Sequence, residues 1–130
     1  MAFFVMFLKY NAFNIIWAVL VAVVTLLPNS QMPDIRFDLW ALLTFDKLAH
    51  SLVFFVLSFL CIIGFIKQSR YAYLRFYAPK FSLLICLSYG LVLELIQPIV
   101  SDRTFELLDV AANSIGTLLG ILFFYIIYKI

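Results

Sequence analysis

Four long apolar runs, separated by short polar stretches, dominate the pattern of residues along the chain. About 20 residues of α-helix cross a hydrocarbon core about 30 Å thick, and each run is close to that length. The runs are apolar throughout, whereas strands of a transmembrane barrel alternate with a period of two over about 10 residues. The pattern therefore predicts an all-α membrane protein, a bundle of four transmembrane helices at approximately residues 8–28, 47–67, 80–98 and 105–129.

The composition supports the same class of protein. Of the 130 residues, 66% are hydrophobic and 12% are charged, and the mean hydropathy is +1.12. Such a chain has too little polar surface to cover a soluble globule. We interpret residues 1–130 as a single transmembrane domain. A cleaved signal peptide is the alternative for the first run, but the run exceeds the usual apolar region of about 7–15 residues and no A-x-A site follows it.

The distribution of lysine and arginine predicts the orientation of the helices. The connection between the second and third helices is basic, and single lysines flank the first and fourth helices, whereas the other two connections carry no such excess. Both termini are therefore expected in the cytoplasm. Topology and anionic lipid headgroups account for the basic residues, so membrane lipids are expected partners and nucleic acid is not. The residues that carry this argument are Lys9, Lys67, Arg70, Arg75, Lys80 and Lys129.

Polar residues occur in the predicted helices mainly near one membrane face, which the orientation makes the outer face. An ionisable side chain at the centre of a transmembrane helix costs about 2.5–3.5 kcal/mol on insertion scales, so such residues indicate a functional site. The opposite halves of the helices are expected to be nearly bare of polar groups, and the first helix carries no motif. The outer-face set comprises Asp46, Lys47, His50, Glu94, Gln97, Arg103, Asp109 and Asn113.

Helical spacing groups these residues further. Asp46 and His50 are four residues apart, and so are Asp109 and Asn113, so each pair lies on one helix face. Gly116 and Gly120 continue the second stripe as a G-x-x-x-G pair, which lets another helix approach closely. The preferred interpretation is that they press the fourth helix against a neighbour within the chain. Dimerisation through the same glycines is the alternative, and no other feature indicates an oligomer.

The residue types in this set suit acid–base chemistry or the binding of a headgroup. Glu94, Asp109 and His50 are the candidate catalytic groups, because carboxylates and imidazole can exchange protons with a substrate. The candidate binding groups are Asp46, Lys47, Gln97, Arg103 and Asn113, of which the two cations could clamp a phosphate. No H-x-x-x-H or C-x-x-C spacing supports a metal site, and no cofactor is predicted. Cys61 and Cys86 are interpreted as apolar packing residues.

The order and spacing of these motifs resemble the VanZ-like family of small bacterial membrane proteins. The resemblance covers about residues 45–120 and rests on D-K-x-x-H at 46–50, E-x-x-Q at 94–97, Arg103, and D-x-x-x-N-x-x-G-x-x-x-G at 109–120. Ser51 departs from the pattern, since an aromatic residue commonly follows the histidine, and Phe54 and Phe55 are placed to supply that packing. The resemblance implies a multi-pass protein of the bacterial cytoplasmic membrane, related to an accessory protein of teicoplanin resistance and acting on or near the cell envelope.

Three classes of function remain open. The favoured one is an outer-face pocket that binds or processes an amphiphilic envelope molecule, either a lipid-linked precursor or a glycopeptide. The second is a membrane hydrolase or transferase that uses Glu94, Asp109 and His50 as acid–base groups. The third is a scaffold or assembly protein whose polar core is structural. A channel is disfavoured, because a relay should cross the membrane and the inner half of the third helix offers only Ser82 and Ser88.

Overall fold

The computed structural model describes residues 1–28 and 39–128, with the backbone alone described for residues 39–44. Every regular element in these ranges is a helix, and four helices are long and apolar enough to cross a membrane, which confirms the predicted fold class. Lys129, counted above as a cytoplasmic cation, lies outside the described residues. The elements are α1 (Ala2–Leu26), α2 (Leu39–Lys67), α3 (Ala72–Phe76), α4 (Ala78–Val100) and α5 (Leu107–Tyr128).

The helices extend beyond several of the predicted boundaries. α1 begins at Ala2 because the residues that follow are apolar and contain no helix breaker, so the helix continues past Lys9. The basic connection between the second and third membrane spans contains a short helix of its own, α3. Pro79 lies in the first turn of α4, where its missing N–H would have no intrahelical partner in any case. Pro98 lies near the other end, and α4 ends at Val100.

The four long helices run up and down. The C-terminal ends of α1 and α4 meet the N-terminal ends of α2 and α5 at one end of the bundle, since Gln97 contacts Thr25 and Lys47 contacts Asp109. At the other end, the Arg70 guanidinium lies 4.1 Å from the centre of the Phe3 ring. The N-terminus of α1 and the C-terminus of α5 therefore belong to the same end.

A narrow core runs along α2. Phe54 and Ile62 are almost completely buried and pack with apolar residues of α1 and α4, including Val21 and Leu93. The outer faces are as apolar as the core, with Phe13 and Ile16 of α1 largely exposed. In a bilayer these exposed side chains contact lipid, so close packing and hydrogen bonds, rather than escape from water, hold the helices together.

The half of the bundle opposite the predicted site is not bare of polar groups, and that expectation is wrong. Asn11 and Asn14 of α1 are buried, and Asn14 Nδ2 donates to Asn11 Oδ1 at 3.0 Å and contacts Cys61 Sγ at 3.7 Å. Ser82 of α4 donates to the Ser58 carbonyl oxygen at 2.9 Å. These contacts join α1, α2 and α4. Polar residues in this half therefore serve packing, and α1 contributes two of them.

Candidate functional site

Three helix ends and one connection supply the polar residues of the candidate site. α2 contributes Asp46, Lys47 and His50 from its N-terminal part, and α5 contributes Asp109 and Asn113 from its first two turns. α4 contributes Glu94 from its last two turns. The connection from α4 to α5 adds Arg103 and Glu106. We call this set of eight residues the polar cluster.

Lys47 is surrounded by carboxylates. Its Nζ donates to Asp109 Oδ1, to Glu106 Oε2 at 2.6 Å and to Asp46 Oδ2 at 3.4 Å. These three contacts match the three donors of an ammonium group. The Asp109 side chain is almost completely buried, whereas Glu106 and Asp46 are partly exposed. Lys47 therefore neutralises a carboxylate inside the bundle from a position near its surface.

His50 lies between carboxylates contributed by three helices. Its Nδ1 is 3.0 Å from Asn113 Oδ1 and 3.9 Å from Glu94 Oε1. Its Nε2 is 3.9 Å from both Asp46 Oδ1 and Asp109 Oδ2. An amide oxygen can only accept, so Nδ1 donates to Asn113 and carries the proton. In the neutral ring, the Nε2 lone pair consequently faces the two aspartates.

Glu94 is the most deeply placed charged residue of the cluster. It has no exposed surface, and neither carboxylate oxygen accepts a hydrogen bond from the described residues. A carboxylate removed from water without hydrogen bonds is costly, so few proteins retain one without a use for it. Its nearest titratable neighbour among the described contacts is His50. This pair can hold or pass a proton between α4 and α2.

The balance of charge in the polar cluster is negative. Arg103 Nη2 lies 3.6 Å from Asp46 Oδ1, so both cations of the cluster already have acidic partners. Four carboxylates against two cations leave a formal charge of −2 when His50 is neutral and every carboxylate is ionised. The expected phosphate clamp of Lys47 and Arg103 is thus occupied by carboxylates. Approach of a bare phosphate would bring like charges together.

Gln97 lies apart from the polar cluster. Its Nε2 donates to the Thr25 carbonyl oxygen of α1 at 2.9 Å, and its Oε1 has no hydrogen-bond partner among the described residues. Within that part of the chain, no hydrogen bond or ion pair joins Gln97 to the cluster. Seven of the eight predicted residues therefore come together, while Gln97 links α4 to α1.

A comparison with models of protein families identifies the family of the chain. The family model described as VanZ/LLP1 matches residues 1–128, essentially the whole chain. The chain belongs to the VanZ/LLP1 family. No curated protein and no solved structure matches it. It is therefore a multi-pass membrane protein of this family, as the resemblance of residues 45–120 implied.

Close contact between α5 and α2 positions the cluster of this VanZ/LLP1 chain. A Cβ atom on Gly116 would overlap the backbone of Ser51, and one on Gly120 would overlap Ser58 Oγ and lie 2.5 Å from the Phe55 carbonyl oxygen. Only glycine permits this approach. It places Asp109 and Asn113, one to two turns earlier on α5, beside the polar residues of α2.

One acidic residue of the cluster was missed by sequence reasoning. Glu106 lies three residues before Asp109, just ahead of α5, and forms the 2.6 Å contact with Lys47. Its i, i+3 spacing to Asp109 was available as a signal. Glu106 lies at the very start of the predicted fourth helix, so its position indicated only an interfacial residue and not a partner of Lys47.

Three residues of the cluster have the composition of a metal-ligand set. The ligand atoms of Asp46, His50 and Asp109 all lie within 4.8 Å of one another. The same residues, with Glu94, could instead exchange protons with a bound molecule. The geometry of the VanZ/LLP1 site thus admits binding of a cationic group, acid–base chemistry, or both.

Proposed function

We propose that the polar cluster binds the polar headgroup of an amphiphilic cell-envelope molecule, either a lipid-linked precursor or a glycopeptide. The observation that carries the proposal is the gradient of burial across the cluster. The side chains of Glu106 and Asp46 are 44% and 37% exposed, whereas those of Asp109 and Glu94 are 2% and 0% exposed. A headgroup would therefore bind at the exposed side of the cluster, beside Glu106 and Asp46, with the buried carboxylates behind them.

The surfaces beside the cluster suit the apolar part of such a molecule. Leu48 and Leu52 of α2, and Leu107 and Leu108 of α5, are exposed next to the polar residues in the sequence. An acyl or polyprenyl chain can lie along these side chains in the bilayer while its headgroup occupies the cluster. This arrangement requires no channel for the apolar chain through the protein.

The charge of the cluster limits the chemistry of the headgroup. Lys47 and Arg103 are already paired with carboxylates, and the formal charge of −2 favours a cationic partner. A headgroup with an amino group fits this balance, and so does a phosphate that arrives with a cation. Lipid-linked precursors and glycopeptides include both kinds of group, which supports the envelope assignment and a place in the bacterial cytoplasmic membrane, with teicoplanin as one candidate molecule.

Catalysis at the same position is the second candidate function. His50 lies 3.9 Å from both Glu94 and Asp109 and can transfer a proton between their carboxylates or to a bound molecule. A hydrolase or transferase would use Glu94 or Asp109 as the base, with the headgroup bound at the exposed side of the cluster.

The first prediction separates these functions from a purely structural role. Glu94→Gln keeps the shape of the side chain and removes a buried carboxylate that accepts no hydrogen bond from the described part of the chain. We expect the variant to unfold at the temperature of the parent or above it, and to lose the envelope molecule that co-purifies with the parent. The measurement is mass spectrometry of lipids extracted with each protein, alongside thermal unfolding in detergent.

Asp102→Asn is the matched control, because it removes an exposed charge in the connection before α5 without touching the cluster. It should retain the parent's lipid profile. If Glu94→Gln also retains that profile and supports the parent's envelope phenotype at equal abundance, the charge at Glu94 is not used, and the scaffold interpretation replaces the proposal.

A further inference from the structure

We propose that Asp46, His50 and Asp109 bind a divalent metal ion of the zinc class. One imidazole nitrogen and two carboxylate oxygens, all within 4.8 Å of one another, can serve as a set of three ligands. Such a set leaves coordination positions for water or a ligand. The inference goes beyond the proposed headgroup site and does not require it, since the ion can be bound by the protein alone.

The orientation of His50 is that of a metal ligand. Nδ1 donates to Asn113 Oδ1 at 3.0 Å, and this bond directs the Nε2 lone pair toward Asp46 and Asp109. Histidines that bind metals nearly always donate their other N–H to an oxygen in this way, which sets the tautomer and the ring plane. Nε2 lies 3.9 Å from one oxygen of Asp46 and 3.9 Å from one oxygen of Asp109. Small side-chain movements would therefore bring all three atoms to about 2.0–2.2 Å from a zinc ion.

Glu94 provides an independent indication of a bound cation. Its carboxylate is completely buried, accepts no hydrogen bond from the described residues and points at the Nδ1 side of the His50 ring. A carboxylate on the far side of the ring is a common outer-shell partner of a metal-binding histidine. A divalent ion at Nε2 would also change the formal charge of the cluster from −2 to zero.

The two cations of the cluster leave room for the ion. Lys47 bonds Asp109 through Oδ1, whereas Oδ2 of the same carboxylate faces His50. Arg103 lies 3.6 Å from Asp46 Oδ1, the oxygen that also faces His50. A carboxylate oxygen has two lone pairs, so it can serve the guanidinium and the ion together. The partly exposed Asp46 provides the route of entry.

The ligand types favour zinc over magnesium. Imidazole suits Zn²⁺, whereas Mg²⁺ prefers oxygen ligands in an octahedral arrangement and retains water. The second prediction is therefore saturable binding of one Zn²⁺ per chain, with at least about tenfold weaker binding of Mg²⁺.

The test measures Zn²⁺ binding by the full chain in nanodiscs of phosphatidylcholine, which supply no envelope precursor. Equilibrium dialysis with elemental analysis gives the stoichiometry and the affinity for the parent, His50→Gln, Asp46→Asn and Asp102→Asn. We expect His50→Gln and Asp46→Asn to weaken binding by at least about tenfold, the scale on which altered metal sites lose affinity. Asp102→Asn, which removes a carboxylate outside the cluster, should bind like the parent.

A second measurement on the parent chain needs no variant to fold. Addition of Co²⁺ should give the visible absorption bands of a low-coordinate nitrogen and oxygen site, and Zn²⁺ should remove them. Any one of three results would overturn the metal site. The first is the absence of saturable Zn²⁺ binding by the parent, and the second is binding of Zn²⁺ by His50→Gln with the affinity of the parent. The third result is an equal loss of Zn²⁺ affinity in Asp102→Asn and Asp46→Asn. The lipid profile of Glu94→Gln tests the headgroup site separately, so either proposal can fail alone.

Discussion

At the scale of single residues, Lys47 and Asp109 show how the protein tolerates a charge inside an apolar bundle. The Asp109 side chain is only 2% exposed, and the Lys47 ammonium reaches it from α2, with Glu106 and Asp46 as further partners. Removing one member of a buried ion pair leaves the other charge uncompensated, which costs more than replacing the pair by apolar residues. Close packing of α2 against α5 therefore depends on the presence of both residues.

The third prediction follows from the difference between removing one member of the ion pair and replacing both. Lys47→Met should lower the free energy of unfolding by about 3 kcal/mol, because Asp109 remains buried without its closest cation. The double variant Lys47→Met with Asp109→Leu should recover most of that loss. Thermal or denaturant unfolding in detergent measures both values.

Lys67→Met is the control for Lys47→Met. Lys67 is an exposed lysine at the other end of the same helix, and its replacement should change the free energy of unfolding by no more than about 0.5 kcal/mol. A loss in Lys47→Met no larger than in Lys67→Met would mean that the ion pair does not stabilise the bundle.

At the scale of elements, the contact between α2 and α5 differs from the others in how closely the backbones approach. Gly116 lies against the backbone of Ser51, and Gly120 against Phe55 and Ser58. α1 packs against Gly64 of α2, where an added Cβ would lie 3.1 Å from the Tyr10 carbonyl oxygen. It is also held by side chains that reach backbone oxygens, since Trp17 Nε1 donates to Val53 O at 3.0 Å and Tyr89 donates to Ala18 O. Without a hydrophobic driving force between helices in lipid, these two modes of attachment hold the bundle together.

The fourth prediction concerns Gly116. A methyl group there must displace the Ser51 backbone, so Gly116→Ala should destabilise the protein by about 1–3 kcal/mol, the usual cost of an overpacked contact. It should also move Asp109 and Asn113 away from α2. Thermal unfolding in detergent measures the loss of stability.

Ala111→Leu supplies the comparison on the same helix. Ala111 is exposed on the outer side of α5, so a larger apolar side chain there faces lipid and should leave stability within about 0.5 kcal/mol of the parent. If Gly116→Ala also leaves the stability unchanged, close contact between α2 and α5 at Gly116 does not limit the size of the side chain there.

At the scale of the whole molecule, both halves of the bundle contain polar groups, but they differ in kind. In the half with Asn11, Asn14 and Ser82, the buried polar side chains are neutral and bond one another or nearby backbone, while the described lysines and arginines at that end are exposed. The other end collects charges, some of them exposed. Neutral hydrogen bonds between transmembrane helices contribute about 0.6 kcal/mol each and are explained by packing, whereas buried charges at the opposite end call for a function.

The fifth prediction is the orientation of the bundle. The basic residues at the end that contains Ser69 predict that this end is cytoplasmic and that Asp102, at the polar-cluster end, is external. In intact cells, a membrane-impermeant thiol reagent should label Asp102→Cys and should not label Ser69→Cys. The native Cys61 and Cys86 are buried and should give little background.

Labelling of Ser69→Cys in cells once the membrane is permeabilised serves as the positive control, because Ser69 is exposed. The reverse pattern in intact cells would place the polar cluster at the cytoplasmic leaflet. An envelope molecule on the outer leaflet could then not reach it.

The sequence by itself determined the class of the protein, its four membrane spans and its candidate residues. Length and continuous apolarity decide whether a helix crosses a bilayer, and both are local properties of the chain. The spacing of Asp109, Asn113, Gly116 and Gly120 likewise places them on one helix face whatever surrounds them. The boundaries were less predictable, since α1 begins earlier than the polar flank at Lys9 suggested.

Only the tertiary structure decided which residues meet. How far each helix is rotated about its axis depends on all its neighbours at once, and spacing within one helix carries no information about that rotation. This is why Glu106 was missed as a partner of Lys47, why Gln97 faces Thr25 of α1 instead of the cluster, and why Asn14 was not connected to Cys61. The negative charge of the site follows from the same assembly, because it is the sum of residues contributed by three separate helices and one connection.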